Sequence, residues 1–220
     1  MLLQKVWDLY EKQVFPAPST DSLLNQYRDD DPDLDLPAAH AIRRENLRAY
    51  LGSFVKKPTI LVVGESGGEW ASHFSGVPFT SERQLVSGEL PFAGRQSSRD
   101  DPAIRAGKKP PYAAGSPTVF WRTMAAFHPR FIGWEWVPFY PHLAGNVLKK
   151  RSPTDEEIKA LLPVAKQAVE IIAPERIVAV GEKASSALGQ IGVEFVTVHH
   201  TAHDVRGEFA SGMKAFFAKL

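Results

Sequence analysis

Ile60 to Val63 form an uninterrupted apolar run that ends abruptly at Gly64, a pattern expected of a strand buried on both faces. Arg176–Val180, ending at Gly181, and Val193–His200 (VEFVTVHH) predict two further strands, and Trp134–Tyr140 (WEWVPFY) a fourth that Pro141 should stop. Between them, apolar positions recur at helical spacing over residues 3–14, 38–54, 116–127, 152–173, 182–190 and 208–220. The helix at 152–173 opens with Thr154 as N-cap and Glu157 three residues on, a capping box, and Pro163 inside it should kink it. Strands alternating with helices predict an α/β fold, a three-layer α/β/α sandwich around a mostly parallel central sheet. A single domain over residues 1–220 is expected, with residues 1–55 as a helical extension packed on it. No internal repeat or low-complexity tract interrupts the pattern.

Composition narrows the chemistry. At 220 residues and 44% hydrophobic, the chain can bury one sizeable core. It has no cysteine, which excludes disulfides, thiolate metal sites and Cys-ligated iron–sulfur clusters. No apolar run reaches the ~18 residues of a membrane span, and the acid-containing, amphipathic start MLLQKVWDLYEK is unlike a signal peptide. A soluble cytoplasmic protein, monomeric and without cofactor, is the default expectation. The net charge of +1 conceals a gradient. Residues 1–94 hold 9 Lys and Arg against 13 Asp and Glu, residues 95–151 hold 10 against 3, and residues 152–220 hold 7 against 9. The basic middle stretch includes Arg95, Arg99, Arg105, Lys108, Lys109, Lys149, Lys150 and Arg151 and is rich in Gly, Pro and Ser. It suits a phosphate backbone, or forms a solvated loop surface. The acidic stretch RDDDPDLDLP lacks the glycine and closing glutamate of a calcium loop and reads as a solvated loop.

Ligands of parallel sheets bind beyond the carboxyl ends of the strands, and three such ends carry reactive or bare residues here: GESGG, WEWVPFYPH and VHHTAHD. Gly64, Gly67 and Gly68 would let a backbone approach a ligand, whereas Gly181 reads as a simple strand-to-helix turn. Phe79, in the stiff turn GVPFTSERQL, is either a stacking surface or ordinary core. His199, His200 and His203 suggest a metal, but adjacent strand residues point to opposite faces and no carboxylate set completes a site, so no metal is expected. A histidine that donates to a developing anion fits better.

Together these segments resemble the uracil-DNA glycosylase superfamily, in particular its bacterial branches with a G-E-A-P-G first motif. VVGESGG is similar to that motif at Gly64 and Glu65, and GVPFTSERQL to the G-x-P-F segment. WEWVPFYPH with SPTDEE resembles W-N-x-V-P-F-H-P-H and N-R-x-P-T-x-x-E. PERIVAVGEKAS resembles P-x-x-I-V-x-L-G-x-x-A, and VHHTAHDVRGEF resembles V-R-H-P-S. The resemblance covers about residues 58–218 and implies a monofunctional glycosylase that removes uracil or a related deaminated base from single- or double-stranded DNA. It implies that His200 stabilises the leaving base and that Glu65, Ser66 or the local backbone positions a water. Phe79 would stack on the base, with the bare backbone of Ser66–Gly68 against the extruded nucleotide. Val205 would fill the gap in the base stack, and Arg206, Lys149, Lys150 and Arg151 would grip phosphates.

The departures from the pattern define the alternatives. Ser66 stands where some branches hold a water-orienting Asp or Asn, and Gly67 replaces proline. Glu135 stands where an Asn reads the pyrimidine edge. A carboxylate accepts from a base N–H but cannot donate to a carbonyl, so only a protonated Glu135 restores a donor. A fold relative that binds DNA or nucleotides with weak or no catalysis is therefore the second reading. The third is an α/β hydrolase, since Gly64–Gly68 spells G-x-S-x-G, with Ser66 as nucleophile, His200 as base and Asp155 or Glu175 as the acid.

Overall fold

The predicted alternation of strands and helices is present in the structure, a computed structural model describing residues 3–100, 107–204 and 206–220. In chain order the helices are α1 (Gln4–Leu9), α2 (Ala39–Gly52), α3 (Ser72–Ser75), α4 (Glu82–Ser87), α5 (Gly115–Met124), α6 (Asp155–Ala160), α7 (Leu162–Ile172), α8 (Glu182–Gly189) and α9 (Glu208–Phe217). The strands are β1 (Leu23–Leu24), β2 (Ile60–Ser66), β3 (Phe131–Val137), β4 (Tyr140–Leu143), β5 (Asn146–Lys150), β6 (Arg176–Val180) and β7 (Val196–Val198). A four-stranded parallel sheet of order β3-β2-β6-β7 forms the centre, with helices on both sides. β1, β4 and β5 make a smaller antiparallel sheet beside it.

The buried run Ile60–Val63 is the central strand because it can hydrogen-bond and pack on every side, pairing with β3 from Ile60↔Phe131 and with β6 from Ile60↔Arg176. All four central strands point the same way, so Ser66, Val137, Val180 and Val198 end along one edge. From β2 the chain crosses to β3 on one side, and from β6 it crosses to β7 on the other. That reversal opens a crevice between the ends of β2 and β6. Residues 3–54 share the core: Val6, Trp7, Tyr10 and Tyr50 belong to the same apolar cluster as Val62 and Trp134. Among the described residues no helix is long and apolar enough to cross a membrane.

Several expectations need correction. WEWVPFY is not one strand stopped by Pro141. The strand runs from Phe131 to Val137 and ends at Pro138, whose missing N–H cannot continue the ladder, while Pro141 lies within β4 on the small sheet. The helix at 152–173 is two helices that meet at Leu161, with Pro163 in the first turn of α7, where a missing N–H costs nothing. Its start is as read: Thr154 and Glu157 form the capping box. VEFVTVHH pairs only over Val196–Val198. The acidic stretch is not simply solvated. Asp35 is buried against the fully buried guanidinium of Arg43, and Asp30 pairs with His40 at 2.9 Å.

Candidate active site

Where β2 and β3 end, a cleft of about 210 Å³ is lined by Gly64, Glu65, Ser66, Gly68, Phe79, Glu135 and His200, with Glu69, Trp70, Ser116, Lys150 and Thr201 at its walls. It opens beside a larger groove of about 810 Å³ over the crevice between β2 and β6, shared through Glu65, Lys150 and His200.

Phe79 is held in the left-handed region at φ 58°, a strained setting for a residue with a side chain. Its ring stacks on Phe120 at 4.3 Å with planes 5° apart, and its ring atoms abut two glycines. A Cβ on Gly64 would approach Phe79 Cζ to 2.7 Å, and one on Gly133 would approach Cδ2 to 3.0 Å. Gly64 is therefore bare because this ring covers it. Gly67 does not line the cleft: its N–H donates to the Phe139 carbonyl at 3.3 Å, and an added Cβ would sit 3.1 Å from that oxygen.

Glu135 is buried at the cleft's base, 5% exposed. Its Oε1 accepts from Ser72 Oγ at 2.6 Å, and Ser72 Oγ accepts from the Gly68 N–H at 3.1 Å. Burial pushes the Glu135 carboxyl up to about 7, against the opposing pull of Ser72, the Lys150 charge and the Phe79 N–H. Ser66 Oγ is buried in the cleft with no hydrogen-bond partner among the described residues, a polar atom left over for a ligand or a water. Glu65 reaches the groove, where Lys183 Nζ lies 3.1 Å from its carboxylate.

His200 leaves the end of β7 and caps the short 3-10 turn Thr201–His203, its Nδ1 accepting from the Ala202 N–H at 3.0 Å. In the neutral ring the proton then belongs on Nε2. Gly181, at φ 85°, is more than a strand-to-helix turn, because an added Cβ would meet His200 Cβ at 3.1 Å and Cδ2 at 3.2 Å. Thr201 is hydrogen-bonded to Ser116, which ties this loop to the start of α5. His199 turns to Glu208, at 3.4 Å.

The proposed phosphate contacts divide. Lys150 lines both cavities, and Arg151 lines the groove with its guanidinium held by Glu157 at 2.6 and 2.8 Å. Lys149 and Arg206 are exposed and line neither. Val205, Arg105 and the side chain of His203 fall outside the described residues. Trp70, which the sequence did not single out, lies at the cleft wall with Lys108 Nζ 5.3 Å from its ring centre. The hydrolase reading fails on geometry. Ser66 lies within β2 and not on a strained elbow, and among the described residues its hydroxyl has no partner to activate it.

A family model described as the uracil DNA glycosylase superfamily matches residues 51–219. No curated protein matches the sequence. Among solved structures, the chain is similar to wild-type SMUG2 of Pedobacter heparinus, with a TM-score of 0.62 at 14% identity, covering 99% of this chain and 98% of that one.

Proposed function

Since the chain belongs to the uracil DNA glycosylase superfamily, we propose that it hydrolyses the N-glycosidic bond of uracil or a related deaminated base extruded from DNA into the cleft. The observation that carries this reading is the convergence of Gly64, Ser66, Phe79, Glu135 and His200 on one cavity from four separate stretches of chain. A base within a duplex is hidden in the stack, so it must be flipped out at a cost of a few kcal/mol. A flat wall on which it can lie offsets part of that cost, and Phe79 supplies one.

Cleavage builds positive charge on the sugar and negative charge on the departing base. His200, with its Nε2 proton fixed by the bond at Nδ1, stabilises that anion. The attacking water forms its bond to the anomeric carbon as the carbon–nitrogen bond breaks, and its proton ends on the released base. Ser66 Oγ orients that water and Glu65 fixes charge at the rim, but a hydroxyl is a poor base, so turnover should be slow. Lys149, Lys150 and Arg206 attract phosphates, while Arg151, occupied by Glu157, holds the end of β5 that presents Lys150.

The test is alkaline strand cleavage of labelled single- and double-stranded oligonucleotides carrying uracil, hypoxanthine or xanthine. Abasic product from at least one of them supports the reading. Retained DNA binding with no product at high enzyme concentration would favour a non-catalytic DNA-binding relative.

A further inference from the structure

The hydrogen bonds into Glu135 have a fixed direction. The Gly68 N–H can only donate, and it donates to Ser72 Oγ. Among the described residues, Glu135 Oε1 is the acceptor within reach of the Ser72 hydroxyl, so the Ser72 proton goes there. A neutral carboxyl accepts best at its carbonyl oxygen, so Oε1 takes that role and the acid proton sits on Oε2. The Phe79 N–H that also reaches this carboxyl is a donor too, so the acid proton is the one donor Glu135 can offer a base. No Asn or Gln is among the described residues that line the cleft, so no amide there competes to read a base.

We propose that Ser72 is a specificity-positioning residue: by holding Oε1 as acceptor, it makes the Glu135 carboxyl offer one donor and one acceptor in a single order, which selects bases with an N–H beside a carbonyl. Uracil at N3 and O4 and hypoxanthine at N1 and O6 present that edge. Cytosine presents the reverse order, a ring acceptor beside an amino donor. Without Ser72 the carboxyl loses the stronger of its two donors and keeps only the Phe79 N–H, the proton is no longer held on Oε2, and the carboxyl can match both edges. This inference rests on the glycosylase reading and names the substrate class of the same site.

The donor exists only while Glu135 is protonated. The groups that face it are Ser72 from α3, the Phe79 N–H, Lys150 from β5, and Tyr10 and Tyr27 from the N-terminal stretch. Both tyrosines are pushed up by burial and stay neutral, and His73, beside Ser72, is held neutral by its own burial. Glu65 and His200 share the cleft.

The experiment measures binding of oligonucleotides carrying a 2′-fluoro nucleotide of uracil, N3-methyluracil or cytosine, whose glycosidic bond resists cleavage, at about pH 6 and about pH 8. The wild type should prefer uracil by roughly tenfold or more at the lower pH, since a mismatched edge leaves buried polar groups unpaired, and should lose most of that preference at the higher pH. Ser72→Ala should bind uracil and cytosine alike at both, and Ser72→Thr, which keeps the hydroxyl, should restore the preference. Glu135→Gln should prefer uracil at both pH values, because its amide keeps a donor whatever the pH. Full discrimination by Ser72→Ala would overturn the inference and leave the glycosylase reading standing. A wild type with no base preference here, and no base release from the corresponding unmodified oligonucleotides, would overturn both.

Discussion

At the scale of single residues, Glu135 links stability to pH. In the unfolded chain its carboxyl ionises near its ordinary 4.5, and in the folded protein near 7. The folded state is thus favoured in full below the lower value, and that contribution, about 3 kcal/mol, is lost as pH rises through about 7. Urea titrations of Glu135→Gln should show this slope flattened, with the variant more stable than the wild type above neutral pH; parallel profiles would contradict it. Gly64→Ala drives a methyl into Phe79, whose ring is already pinned by Phe120. It should retain the fold at a cost of about 1–3 kcal/mol. Base release should fall at least ~tenfold, since misplacing a positioning group by ~1 Å can cost 10²-fold. Unchanged release would remove Phe79 from the site. Gly64, Phe79, Glu135 and His200 were legible because each sits in a recognisable segment at a strand end or turn. Ser72 was not, since it lies in an unmarked four-residue helix and its partner is 63 residues away. Gly181 was half legible: its turn shows in the sequence, but the histidine packed on it does not.

At the scale of elements, the long apolar strands were plain and their ends were not. Val137 and Tyr140 read as one strand because an apolar run does not reveal which ladder each residue joins, and Pro138 separates two sheets. β5, with the polar pattern Asn-Val-Leu-Lys-Lys and partial exposure, lacks the buried face that would mark it in a sequence. Yet β5 carries Lys150 to the cleft, held by the Arg151–Glu157 pair that also closes the capping box of α6. Lys150→Ala should weaken DNA binding similarly for all sequences and lower the slope of log affinity against log salt by about 1, as loss of one phosphate contact does. An unchanged slope would show that Lys150 meets no phosphate.

At the scale of the whole molecule, a buried ion pair inside the N-terminal stretch also ties that stretch to α3 and to the loop at Ser97. Arg43 donates to Asp35 and also to Ser97 Oγ and the carbonyl oxygens of Phe74 and Gln26. Asp35→Ala would leave a buried guanidinium without its counter-charge, and should lower stability by about 3–5 kcal/mol in denaturant unfolding. A loss near zero would mean that the pair closes over an already stable core. The acidic stretch read as solvated because nothing in its sequence announces an arginine buried eight residues away on α2. The central claim concerns the cleft that this framework holds open. It is tested most directly by single-turnover release of free base from a uracil-containing oligonucleotide, with wild type and His200→Ala run side by side. Wild type should release uracil, and the variant, still folded and still binding the oligonucleotide, should be slower by roughly 10²–10³, as expected for loss of a donor to a developing anion. Equal rates would show that the chemistry does not run through His200, and the account of this site would fail.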